Sequence, residues 1–186
     1  MDYSKIIDYY YPEDDELRRL LLAHSRAVAD KALRICRQHP ELGADSDFVE
    51  AAAMLHDIGI RECNAPGILC HGTRPYIQHG LAGAEMIHAL RADQEAFARV
   101  CQRHTGAGIT RQEVLEQKLP LPLPDDDSEP YMPETIEEQI VCYADKFFSK
   151  TKLDREKTMD EVVRSLAKFG TGGVARFQQW AHTFQE

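Results

Sequence analysis

The stretch AAAMLHDIGI, residues 51–60, decides how this chain is read. Five small or apolar residues run directly into His56 and Asp57, and Gly59 follows. An imidazole and a carboxylate placed where a helix enters a core are costly unless something pairs with them. Neighbouring residues on a helix point about 100° apart, so the two side chains share one partner most easily at a last helical turn. Gly59 permits the helix to stop there.

Working outward, the periodicity gives helix after helix and no sustained alternating strand pattern, so the expected fold class is all-α. After Pro12 a helix carries Leu17, Leu20, Leu21, His24, Val28, Ala32 and Ile35 on one face and stops before Pro40. The next is expected to begin at Ser46 or Asp47, with Glu50 in a capping role, and to run to His56 and Asp57. Residues 61–75 read as loop because of Pro66, Gly67, Gly72 and Pro75. Helices over 76–90 and 94–104 follow, and Thr110 with Glu113 has capping-box spacing for a short one. Residues 118–133 hold five of the nine prolines and read as an ordered or lid-like excursion rather than a domain linker. Pro133 suits the first turn of a helix expected to reach Lys150. Thr158 with Glu161 opens another, and a final segment over 173–184 buries Val174, Phe177, Trp180 and Phe184. Tyr9, Tyr10 and Tyr11 are expected to pack an N-terminal segment.

A chain of 186 residues buries roughly 70% of its unfolded surface, enough for a core without staples. No apolar run approaches the roughly 20 residues of a membrane span. The first residues lack the basic start and apolar centre of a secretory signal, and the five cysteines include no CxxC pair. A cytoplasmic protein is therefore expected. Cys63 and Cys70 share a loop without the second ligand pair of a structural zinc site. The net charge of −9 argues against an extended nucleic-acid footprint. It leaves room for a small phosphorylated substrate, because a few cations can reverse the potential inside one cleft.

Besides His56 and Asp57, four potential metal ligands fall at helix ends or on apolar faces: His24, His79, His104 and Asp145. Asp145 lies among Ile140, Val141, Tyr143, Ala144, Phe147 and Phe148, an expensive setting for a lone carboxylate. A histidine, the His56-Asp57 pair in HDIG and a distal aspartate in ADK resemble the HD metal-dependent phosphohydrolase superfamily over about residues 20–150. His79 in QHGLAGAE and His104 in RHTG resemble the extra histidines of its dinuclear members.

The resemblance implies one HD helical bundle spanning residues 1–186, with further helices over 151–186. It places His24, His56, Asp57 and Asp145 around a first divalent transition metal, and His79 with His104 on a second, Asp57 bridging the two and serving as the central catalytic residue. Imidazole with carboxylate suits iron, manganese, cobalt, nickel or zinc alike. His71, Arg74, Arg103, Arg111 and Lys146 are weaker candidates for holding substrate phosphate.

The implied activity is hydrolysis of a nucleotide or another small phosphoester, dinucleoside polyphosphates included, by metal-activated water. Two alternatives stay open: an HD-type di-iron oxygenase, and a regulatory or binding protein that retains metal. Ile60 stands where cyclic-dinucleotide phosphodiesterases of the HD-GYP type carry lysine, and the chain lacks their GYP motif, which disfavours that substrate. Oligomeric state does not follow from the sequence.

Overall fold

The computed structural model describes residues 2–90 and 94–184. The fold is an all-α bundle. Its helices are α1 (Tyr3–Tyr10), α2 (Glu16–Gln38), α3 (Ser46–Leu55), α4 (His79–Leu90), α5 (Glu95–Arg103), α6 (Arg111–Glu116), α7 (Ile136–Asp145), α8 (Met159–Leu166) and α9 (Thr171–Phe184). The loop expected over residues 61–75 contains a two-stranded antiparallel ribbon, β1 (Asn64–Ala65) with β2 (Cys70–His71). Strands of two residues are too short for an alternating pattern to show in sequence.

Helix α2 packs against α3 and α7, and α4 against α5. The apolar face of α2 buries Leu20, Leu21, Val28, Ala32 and Ile35, as its spacing requires, and His24 is buried among them. Burial of each large aliphatic side chain contributes about 1.5–3 kcal/mol. Tyr143 stacks on Phe177 and meets Phe184 edge-on, which seats α9 on α7. Val174 is only half-buried, whereas Phe177, Trp180 and Phe184 are buried.

Capping boxes form at Thr110 with Glu113 and at Thr158 with Glu161, as expected. At α3 the expected cap is corrected. Asp45 accepts from the Asp47 and Phe48 amides, while Glu50 pairs with Arg26. At α7 a third box, Thr135 with Glu138, starts the helix at Ile136, three residues after Pro133. The helix then ends at Asp145, short of Lys150. Tyr9 and Tyr10 end a helix, capped by Tyr11, that the sequence did not announce. Tyr11 is buried and its hydroxyl donates to the Ile58 carbonyl, Tyr10 donates to the Met86 carbonyl, and Tyr9 is exposed. Residues 118–133 are an ordered excursion built on a small second core of Ile109, Val114, Leu121 and Tyr131.

Gly59 acts differently from the helix stop that its position suggests. Helix α3 ends at Leu55, and Ile58–Glu62 is a 3-10 turn. What Gly59 supplies is room, because a Cβ there would sit 2.2 Å from the His79 carbonyl oxygen and 2.3 Å from the Gly83 amide. Gly80 likewise lets α4 approach the Cys101 carbonyl of α5, where a Cβ would come within 2.4 Å. These contacts are with backbone, which cannot step aside as a flexible side chain can. Gly59→Ala is therefore expected to cost about 1–3 kcal/mol of stability. Urea unfolding would read this as a lower midpoint, and an unchanged midpoint would refute the packing role.

Candidate metal centre

Three histidines reach the centre by the same local device. His56 follows the last residue of α3, His104 follows α5, and His79 follows the 3-10 turn Tyr76–Gln78. In each, Nδ1 donates to the carbonyl three residues earlier: Ala53 at 2.6 Å, Cys101 at 2.7 Å and Tyr76 at 2.7 Å. Carbonyls of a last helical turn are short of partners within the helix, and the Tyr76 carbonyl accepts the ring in addition to the His79 amide. The bond also fixes the proton on Nδ1 and leaves the Nε2 lone pair facing inward.

The inward atoms converge on Asp57, which is fully buried. Its Oδ2 lies 3.1 Å from His24 Nε2 and 3.2 Å from His56 Nε2. Asp145 Oδ1 closes this group, 3.0 Å from His24 Nε2 and 3.5 Å from His56 Nε2. The other oxygen, Oδ1, lies 3.5 Å from both His79 Nε2 and His104 Nε2, which are 2.9 Å apart. The structure thus brings together all six residues that the sequence marked, as two donor groups joined at one carboxylate.

The donor set fits divalent metal. Two ligand atoms about 2.1 Å from one ion and about 90° apart are about 3.0 Å from each other, the spacing of these atoms. His56 Nε2 and both Asp57 oxygens are buried without a hydrogen bond of acceptable geometry. Such atoms are costly unless a ligand takes them up.

The chain's own charges also meet at the centre. Burial opposes ionisation of Asp57, but Lys150 and His56 outweigh it and hold the carboxyl well below its usual range. Burial likewise disfavours a charged His56, yet Asp57 and Asp145 raise the imidazole to about 9. At the other group, burial and the neighbouring His104 lower His79 to about 3, so it stays neutral.

Lys150 is the residue that sequence reasoning missed. Its Nζ lies 2.5 Å from Asp57 Oδ2. Burial disfavours its charge, and the Asp57 carboxylate more than restores it. Had α7 continued to residue 150, Lys150 would lie about 140° around the axis from Asp145. The helix stops at Asp145, and turns over 146–150 bring the lysine back. Tyr76 is the second omission: its ring stacks on His79 with centroids 4.6 Å apart.

The weaker candidates divide. Lys146 borders the centre, with Nζ 2.6 Å from Asp145 Oδ2 and bonded to the His104 carbonyl. Arg103 is corrected: it pairs with Glu134, before α7, and with Glu138, two helical turns before Asp145, because a residue adjoining a ligand points elsewhere on a helix. Arg74 is tied to Glu85, Arg111 to the Pro124 carbonyl, and His71 is exposed on β2, so none of the three joins the cluster. Cys63 and Cys70 are buried free thiols whose ionisation burial pushes up to about 11.

Comparison with known proteins gives the family. Residues 21–149 match the HD domain. The chain belongs to the HD-domain family. This HD protein is 35% identical over 161 residues to a tRNA (cytidine(56)-2'-O)-methyltransferase of Picrophilus torridus, covering 82% of the chain and 41% of that relative. A methyltransferase of the same name from Thermoplasma volcanium is 30% identical over 164 residues, with 88% and 41% covered. An uncharacterized protein of Methanocaldococcus jannaschii is 34% identical over 150 residues, with 80% and 76% covered. The chain thus spans about two fifths of the two methyltransferases. No solved structure matches.

The Lys150–Asp57 pair makes a stability prediction for chelator-treated protein. Removing one partner of a buried ion pair costs about 3–5 kcal/mol, and the nearby imidazolium places Lys150→Met at the lower end. Urea unfolding in EDTA should show that loss. Wild-type stability in the variant would contradict the pairing.

Proposed function

We propose that this HD protein is a metal-dependent phosphohydrolase that cleaves a nucleotide or another small phosphoester with metal-activated water. The observation that carries the proposal is the split of Asp57, with Oδ2 facing His24 and His56 and Oδ1 facing His79 and His104. Two divalent ions held by these groups would supply a hydroxide near neutral pH and a positive clamp for phosphoryl oxygens. The chain's own part is positional. His56, His79 and His104 keep their protons on Nδ1 and present Nε2, while Asp145 and Asp57 bring negative charge into a dry interior. Lys150 and Lys146 set two cations beside those carboxylates, where they favour an approaching phosphate.

The methyltransferase activity named for two relatives belongs to proteins more than twice the span matched here. An alignment covering 82% of this chain necessarily takes in most of residues 21–149. We therefore assign to this chain the chemistry of its His/Asp centre and not methyl transfer. The small-phosphoester substrate is favoured over an extended nucleic acid by the net charge of −9.

A phosphate-release screen over nucleotides and phosphoesters, on protein purified without oxygen and analysed for metal, tests the assignment. Asp57→Ala should abolish turnover in a folded protein, more completely than the 10²–10³-fold, roughly, that follows loss of one electrostatic contact. His79→Ala with His104→Ala should take metal content from about two ions per chain to one. Near wild-type turnover in Asp57→Ala would reject the mechanism, and oxygen consumption without phosphate release would favour a di-iron oxygenase.

A further inference from the structure

A second feature of the surface lies beside this centre. The turn after α7 and helix α8 enclose an open groove of about 440 Å³ lined by Lys152, Arg155, Lys157, Arg164 and Lys168. Glu161 is the one carboxylate in the lining, and Arg155 holds both of its oxygens, at 2.8 and 2.9 Å. Nearby Glu156 is engaged by Lys31 and Arg34. Among the described residues, Lys152, Lys157, Arg164 and Lys168 have no carboxylate within ion-pairing distance. A chain with a net charge of −9 thus concentrates four cations outside any ion pair around one concavity. Like charges gathered this way repel, a cost that a bound anion removes.

The groove also has a direction. Ser149, Thr151 and Lys157 line it and line an adjoining pocket of about 390 Å³. Tyr76 and Lys150 also line that pocket. Tyr76 stacks on His79, and Lys150 contacts Asp57, so the pocket is one side chain away from the metal ligands. Lys157 marks the junction, half-buried, its Nζ donating to the Lys146 carbonyl.

We infer that the groove binds the distal phosphates of a small ligand carrying a phosphate chain, whose reacting end lies at the His/Asp centre. The link to the centre rests on the phosphohydrolase proposal; the anion site itself does not. Four cations gathered around one open groove suit a compact polyanion, whereas a nucleic acid would call for a basic face running across the molecule. A ligand that occupies both the groove and the centre carries more than one phosphate.

The test is a binding measurement that needs no turnover. The full chain, with its metal content measured before and after, is titrated calorimetrically with inorganic phosphate and with a hydrolysis-resistant methylene analogue of tripolyphosphate. The analogue should bind more tightly than phosphate. Lys152→Glu with Arg164→Glu should weaken it by at least about tenfold, whereas the same charge change at Lys5 and Arg37, both exposed elsewhere, should leave it within about twofold. Lys152→Gln with Lys168→Gln serves if the first pair does not fold, with weakening again expected. Unchanged affinity in the groove variants, or tighter binding of a short single-stranded RNA than of the analogue, would overturn the inference. Because no hydrolysis is read, an inactive centre with an intact groove, and the reverse, give different results.

Discussion

The fully buried carboxylate of Asp57 is the constraint around which the molecule is organised. A carboxylate cannot stay ionised in an apolar interior without compensation, and it ties several elements together by demanding it. Helix α2 brings His24, the end of α3 brings His56, the start of α4 brings His79, the end of α5 brings His104, and the turn after α7 brings Lys150. In the chain alone, Lys150 and the His56 imidazolium balance Asp57, while burial keeps His79 neutral.

Close backbone approach makes that convergence possible. The 3-10 turn carrying Gly59 lies against α4 with no space for a methyl group, and α4 lies as tightly against α5 through Gly80. His79 and His104 come within 2.9 Å of each other because their helices meet at these small residues. Hydrogen bonds from Nδ1 to carbonyls three residues back then set the rings without help from distant side chains. Packing controls the distance between elements, and local bonding controls the aim of the donors.

Much of this was legible in the sequence, for identifiable reasons. An apolar run ending in His56 and Asp57, and Asp145 amid aromatic and aliphatic residues, are violations of core patterning, and such violations mark sites. The HD family match over 21–149 agrees with the resemblance that those residues carried. Lys150 was not legible, because its place depends on α7 ending five residues early, a boundary set by turn geometry over 146–150. Arg103 was misjudged for the complementary reason: next to His104 in sequence, it points to Glu138 on another face. Gly59 was read as a helix stop, since a glycine required for space and one required for a left-handed turn look the same in sequence. The basic groove is assembled from cations interleaved with acidic residues, and only the folded arrangement shows which acids are already engaged.

The central claim is that Asp57 joins two metal sites through its two oxygens. Anomalous diffraction from crystals of the metal-loaded protein, recorded at the absorption edge of the metal it retains, tests that claim most directly. Two peaks about 3.5–4 Å apart, one beside each Asp57 oxygen, are the predicted result. A single peak, or peaks away from Asp57, would contradict it.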